Sequence, residues 1–176
     1  MGKEKITLLG YSWGSLFGAN LALEYPEYYD AFIGTGQFID YQENEKRLYE
    51  AAQKWSEGGT DYNIFTTILF NPNYTIGDFI GYVKNSEASF EPYMDFFTGD
   101  MSKLPLAGRY DYLVPYYNIN GDMDYQINYW LACEYFKQVN APEKEMFVMK
   151  DATHGLLESR SEEFSEILHK IAEKQR

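Results

Sequence analysis

Near the start of the chain the apolar positions run together instead of alternating. Ile6, Leu8 and Leu9, with the β-branched Thr7 among them, form a short strand pattern of the kind buried on both faces of a sheet. The run ends in Gly10-Tyr11-Ser12-Trp13-Gly14 and passes directly into a helical stretch from Ser12 to Tyr25. There Leu16, Phe17, Leu21, Ala22 and Leu23 are interrupted by only three polar residues, Ser15, Asn20 and Glu24, which predicts a buried helix, and Pro26 stops it. Tyr29 to Gly36 reads as a second buried strand closing on a Gly-rich turn. Strand, helix, strand is a crossover unit, almost always right-handed, and it calls for a parallel sheet with helices on its faces.

Residues 37–106 depart from this rhythm. A helical pattern from Glu43 to Trp55 gives way to turn signals at Gly58-Gly59, Asn71-Pro72-Asn73 and Gly99-Asp100, which predicts a mostly helical insertion. The α/β alternation resumes with a third strand, Tyr112 to Asn120, and the turn Gly121-Asp122-Met123-Asp124. A helix from about Gln126 to Gln138 follows, ended by Asn140-Ala141-Pro142, and then a fourth strand from Glu145 to Met149. The last helix starts near Ser159. Ser159 and Glu162 have the spacing of a capping box, and Phe164, Ile167, Leu168 and Ile171 form one apolar face. The expected class is α/β, a parallel sheet with flanking helices, its core made by residues 1–36 and 107–176 and a helical cap inserted at 37–106.

The chemistry concentrates where strands end. Gly-x-Ser-x-Gly between a strand and a helix is the pattern of a nucleophile elbow, a sharp turn that holds a serine hydroxyl out at a strained backbone angle. Gly10 and Gly14 leave no Cβ where strand and helix nearly touch. Ser12 is therefore the candidate nucleophile, and the backbone N–H of Trp13, in the first turn of the following helix, the candidate oxyanion donor. A serine hydroxyl needs a base, and an imidazole, titrating near 6.5 as a free side chain, is the usual one. Only two histidines exist. His169 sits in the last helix among Glu166, Lys170 and Lys174, a surface position, whereas His154 follows the fourth strand, where active-site residues of open parallel sheets collect. The acid is expected after the third strand. Asp124 is the choice, with Asp122 and Asp111 as alternatives; each also fits a turn aspartate bonded to its own backbone.

Composition narrows the partners. A formal net charge of -12 with no Lys/Arg cluster argues against nucleic acid. No apolar run approaches the roughly 20 residues of a membrane span, and the N-terminus lacks a signal-peptide layout, so the expected compartment is the cytoplasm. Cys133, the only cysteine, reads as a small core residue. Aromatics reach 18%, high enough to need a place in the core or in the cap.

With Gly-Tyr-Ser-Trp-Gly-Ser at the elbow, Asn-Gly-Asp-Met-Asp after one strand and Ala-Thr-His-Gly after the next, the chain resembles the α/β-hydrolase family over nearly its whole length. Trp13, Tyr25-Pro26-Glu27 and Gly34-Thr35-Gly36-Gln37 make it most similar to the proline iminopeptidase-like branch. The resemblance implies a Ser12-Asp124-His154 triad, a hydrolase needing neither cofactor nor metal, and a cap at Gln37 to Leu106. It implies a serine hydrolase that cleaves an ester or amide bond, an aminopeptidase acting on a short peptide in the closest branch. Such a branch needs carboxylates for a substrate ammonium, for which Glu43, Glu45, Glu87 and Glu91 are available, and cap aromatics such as Tyr62, Phe65, Phe70 and Tyr74 would line an apolar pocket. Two departures stand out. The family's elbow usually has His where this chain has Tyr11, and family members carry strands, and a loop giving the second oxyanion N–H, before an elbow strand that here begins at about Lys5. The chain is thus expected to correspond to the C-terminal part of a hydrolase, and in the family's strand order one edge of the 6–10 strand is then open, to pair with a second copy or a separate N-terminal polypeptide. The alternative function is a truncated, weakly active or non-catalytic half-domain acting through that association.

Overall fold

The computed structural model describes residues 5–40, 43–44, 46–48, 106 and 108–175. Most of the expected cap, including Tyr62, Phe65, Phe70, Tyr74, Glu45, Glu87 and Glu91, lies outside the described residues. Four strands, β1 (Ile6–Tyr11), β2 (Tyr29–Thr35), β3 (Tyr116–Gly121) and β4 (Lys144–Met149), pair in parallel in the order β1-β2-β3-β4. Helix α1 (Trp13–Glu24) joins β1 to β2, followed by a 3-10 turn at Pro26–Tyr28. Helix α2 (Tyr129–Gln138) joins β3 to β4, and the short α3 (Leu156–Ser159) and α4 (Ser161–Lys174) close the chain.

The sheet separates two apolar layers. On one face Phe32, Tyr112 and Tyr116 pack with Leu16 and Ala19 of α1 and Leu131 and Tyr135 of α2. On the other, Ala31, Ile33, Tyr117 and Ile119 meet Leu156 and, from α4, Phe164, Ile167 and Ile171. In the first layer the rings of Phe32, Tyr112 and Tyr116 stack with centroids 4.9–6.2 Å apart. The hydroxyls of Tyr112 and Tyr135 lie 2.9 Å apart, and Tyr135 donates to the Arg109 carbonyl at 2.7 Å, so these buried phenols are hydrogen-bonded. Burial pushes both well above the usual tyrosine range and keeps them neutral.

Four expectations need correction. The third strand begins at Tyr116 and not at Tyr112, because Pro115 has no N–H to give a ladder; its carbonyl accepts from Phe32 instead. Helix α2 begins at Tyr129, because Asn128 takes the N-cap and accepts from the Leu131 N–H at 3.0 Å. Ser159 caps nothing: it ends α3 and bonds back to the Gly155 carbonyl, while α4 starts after Arg160. Finally, α1 is not buried all round. Trp13, Phe17 and Leu21, spaced four apart, lie on its exposed side, and Leu9 and Ile6 of β1 are exposed with them, Ile6 at 58%. Among the described residues β1 pairs only with β2, which makes it an edge strand.

The close approach of strand and helix depends on one glycine of the elbow, not both. A Cβ on Gly10 would stand 2.3 Å from the Gly14 carbonyl oxygen, whereas one on Gly14 meets nothing within 4 Å. Gly10→Ala should therefore lower the thermal midpoint by roughly 5–10 °C, as overpacking against backbone does. Gly14→Ala, inside a helix with open space, should leave it unchanged or raise it slightly. Calorimetry of the two variants checks the contrast, and equal effects would contradict the packing described.

Candidate active site

Because all four strands are parallel, their carboxyl ends share one edge of the sheet, and Ser12, Gly36, Asp124 and His154 all lie just beyond those ends. Ser12 follows β1 with φ 56° and ψ -126°, a left-handed backbone that a side-chain-bearing residue rarely adopts. Its N–H donates to the Thr35 carbonyl at 2.9 Å, and its carbonyl accepts from the Ser15 N–H at 2.8 Å. The strained turn is thus held by β2 on one side and by α1 on the other.

The three residues singled out from the sequence meet. His154 Nε2 is 3.0 Å from Ser12 Oγ, and Nδ1 is 2.8 Å from Asp124 Oδ2. His154 and Asp124 are buried, Asp124 at 1% exposure. The Asp124 carboxylate only accepts, so the imidazole proton sits on Nδ1 and Nε2 faces the serine hydroxyl as an acceptor. The other Asp124 oxygen accepts from the Ile127 N–H at 2.8 Å, which fixes the carboxylate's orientation.

The two fallback aspartates are placed elsewhere. Asp122 accepts from the Asp151 N–H at 2.6 Å and ties the turn after β3 to the turn after β4, where Asp151 itself has φ 55°. Met123 N–H donates to the Ala152 carbonyl at 2.9 Å across the same seam. A Cβ on Gly121 would stand 2.1 Å from that carbonyl, so the two turns touch backbone to backbone. Asp111 lies before β3, bridged to Asn140 and accepting from its amide at 3.1 Å, at the opposite end of the sheet from the serine. His169 is exposed on α4, its ring 2.8 Å from the Ser165 carbonyl. Cys133 is half-buried against Met146, in keeping with a packing role. Glu43, one of the carboxylates considered for an ammonium, is engaged by Arg47 at 2.8 Å. Among the described residues no group of three or more His, Cys, Asp or Glu could hold a metal ion.

Two supports of the site were not anticipated. Ser15 Oγ lies 2.5 Å from the Ser12 carbonyl and accepts from the Phe38 N–H at 2.8 Å, joining the elbow to the segment after β2; Phe38 in turn stacks on Trp13 at 4.6 Å. Beneath it, a buried amide chain runs through β3. Asn120 accepts from the Gln37 N–H at 3.0 Å and donates to Asn118, which donates to the Tyr116 hydroxyl at 2.6 Å, and Gln37 donates to the Ser15 and Phe38 carbonyls. The signal was visible: Asn118 and Asn120 are polar in a strand that is otherwise apolar, and buried amides persist only when bonded.

Residues 1–62 match the family model described as alpha/beta hydrolase fold. Three solved structures align over 98% of this chain. An α/β hydrolase from the sediment metagenome of the Mar Chica lagoon, Morocco, is 17% identical with TM-score 0.59. A thermophilic esterase from Thermogutta terrifontis is 16% identical with TM-score 0.60, and a proline iminopeptidase from Mycobacterium smegmatis is 18% identical with TM-score 0.65. The chain has the α/β-hydrolase fold, and the family resemblance read from its motifs holds. Its tie to the iminopeptidase branch is looser, since structures labelled esterase and proline iminopeptidase align comparably well. The chain spans 63–66% of the length of these three structures. No curated protein matches its sequence. No helix among the described residues is long and apolar enough to cross a membrane.

Ser15→Ala would leave the Phe38 N–H without its acceptor in a buried setting. We expect a loss of about 1–3 kcal/mol in unfolding free energy. Urea titration reads it directly, and a change within about 0.3 kcal/mol would show that the Ser15 bond is dispensable.

Proposed function

We propose that this chain works as a serine hydrolase acting on an ester or amide. Ser12 Oγ attacks the acyl carbon while His154 Nε2 takes its proton, and Asp124 holds the imidazole and stabilises its cation. The Trp13 N–H donates to the oxygen that becomes negative, and His154 then returns the proton to the leaving alcohol or amine. Water, deprotonated by His154, next attacks the acyl-serine and releases the acid. The observation that supports this most is the continuous path from Ser12 Oγ through Nε2 and Nδ1 to Asp124, with spacings of 3.0 and 2.8 Å, at a serine held in a strained turn. Within this reading we favour aminopeptidase activity of the proline iminopeptidase type on short peptides. The loosely similar iminopeptidase structure and the elbow's Trp13 support it.

A fluorophosphonate probe should label the purified chain and fail on Ser12→Ala. His154→Ala should abolish hydrolysis of a small activated ester, Asp124→Asn should lower it by a smaller but still large factor, and His169→Ala should change almost nothing. Retained activity in His154→Ala, with loss in His169→Ala, would overturn the assignment.

A second reading concerns association, and the pairing of β1 with β2 alone among the described residues supports it. We propose that a further polypeptide adds strands to the open side of β1, covering Ile6 and Leu9. In its absence the purified chain should self-associate through this edge, and Leu9→Lys should suppress the association. Sedimentation across a concentration series measures it. A compact monomer at roughly tens of micromolar, unfolding cooperatively, would mean that the four strands need no partner.

A further inference from the structure

The residue before the nucleophile reaches across the sheet. Tyr11 ends β1 and pairs in register with Thr35 of β2, yet its side chain lies against the loop after β4, two strands further on. Its hydroxyl donates to the His154 backbone carbonyl at 2.6 Å, and its ring stacks on the His154 imidazole with centroids 5.1 Å apart and planes 17° from parallel. One side chain therefore holds both the backbone and the ring of His154, and its own backbone is covalently continuous with Ser12.

We infer that Tyr11 is a positioning residue: it sets the imidazole at hydrogen-bonding distance from the serine that follows it in the chain. The inference rests on the hydrolase reading above. A swing of the imidazole about the axis of its Nδ1 bond to Asp124 would carry Nε2 away from Ser12. Stacking on Tyr11 blocks that swing. The hydroxyl bond fixes the loop, so that the distance from the loop to β1 is set by a rigid side chain and not by the two intervening strands. Burial first, then the charges of Glu158 and Asp124, push the Tyr11 phenol well above the usual range, so it remains a donor throughout the working pH range of a hydrolase. On the other flank, Gly36, with φ 49°, leaves room for the ring: a Cβ there would stand 3.2 Å from His154 Cε1.

Tyr11→Phe keeps the ring and removes the tether, and Tyr11→Leu removes both. On a small activated ester we expect kcat to fall about tenfold for the first and about a hundredfold for the second, the range that misplacing a reacting group costs. KM should hold within about twofold, because neither contact is with substrate. A second readout needs no activity. The proton in the His154–Asp124 hydrogen bond should give a low-field resonance, identified by its loss in His154→Ala, that broadens in Tyr11→Phe and vanishes in Tyr11→Leu. Thermal midpoints within a few degrees of the parent show that the fold is kept. An unchanged kcat with an unbroadened resonance, or a loss confined to KM, would overturn the inference. A resonance that responds as expected in a chain no fluorophosphonate labels would uphold the positioning role and refute the hydrolase reading.

Discussion

The backbone of Ser12 is the constraint on which the site depends. A φ of 56° at a serine costs on the order of 1–3 kcal/mol, and the turn persists only because its surroundings leave no alternative. The Ser12 N–H is taken by β2 and its carbonyl by the first turn of α1, and Gly10 lets helix and strand approach until no Cβ would fit between them. Relaxing the serine to an ordinary angle would rotate its hydroxyl away from His154 and break the bond to Thr35 together. The strained turn thus holds the Ser12 hydroxyl 3.0 Å from the His154 imidazole.

His154 is held by a different device. Asp124 and His154 lie on turns after adjacent strands, and those turns are stitched together by backbone, through Met123 to Ala152, and by side chain, through Asp122 to Asp151. Asp122 therefore acts on the site through the turn it ties. It fixes the relative height of two loops whose contact at Gly121 is too tight for any side chain. An error of one residue in the β3–β4 register would separate Asp124 from His154 entirely, so the pairing of Tyr116 with Lys144 through Gly121 with Met149 is part of the site's geometry.

Much of this was legible because it is local. The strand-to-helix turn, the Pro after α1, and Asp124 and His154 just after strands each carry their own short-range signal, and a parallel sheet brings strand ends together without further instruction. The sequence was less informative where the deciding partner lies far along the chain. Pro115 is a local mark for a strand start at Tyr116, but apolarity in α1 does not distinguish Leu16, which is buried, from Phe17, which is 47% exposed. The contact of Tyr11 with His154 spans 143 positions and joins two residue types that pair by no simple rule. Asn118 and Asn120 did announce a buried polar network by their composition, and Tyr116 lies two residues from Asn118 along the same strand, but Gln37 reaches Asn120 only through the fold.

Ser12 follows a strand that has one neighbour among the described residues, and this has an energetic consequence. Edge strands open more readily than central ones, and any opening of β1 would carry Ser12 out of reach of His154. The ties that resist this all come from the paired side: Thr35 on the Ser12 N–H, Phe38 through Ser15, and the ring and hydroxyl of Tyr11 on the last loop. Each links the end of β1 to a different partner, β2, the segment after it and the turn after β4, so that moving the elbow requires breaking all three at once. Side-chain and loop contacts thereby hold the carboxyl end of β1 beyond what its ladder with β2 does. The residues at its start, Ile6 and Thr7, where the register shifts and exposure is greatest, have no such ties among the described residues.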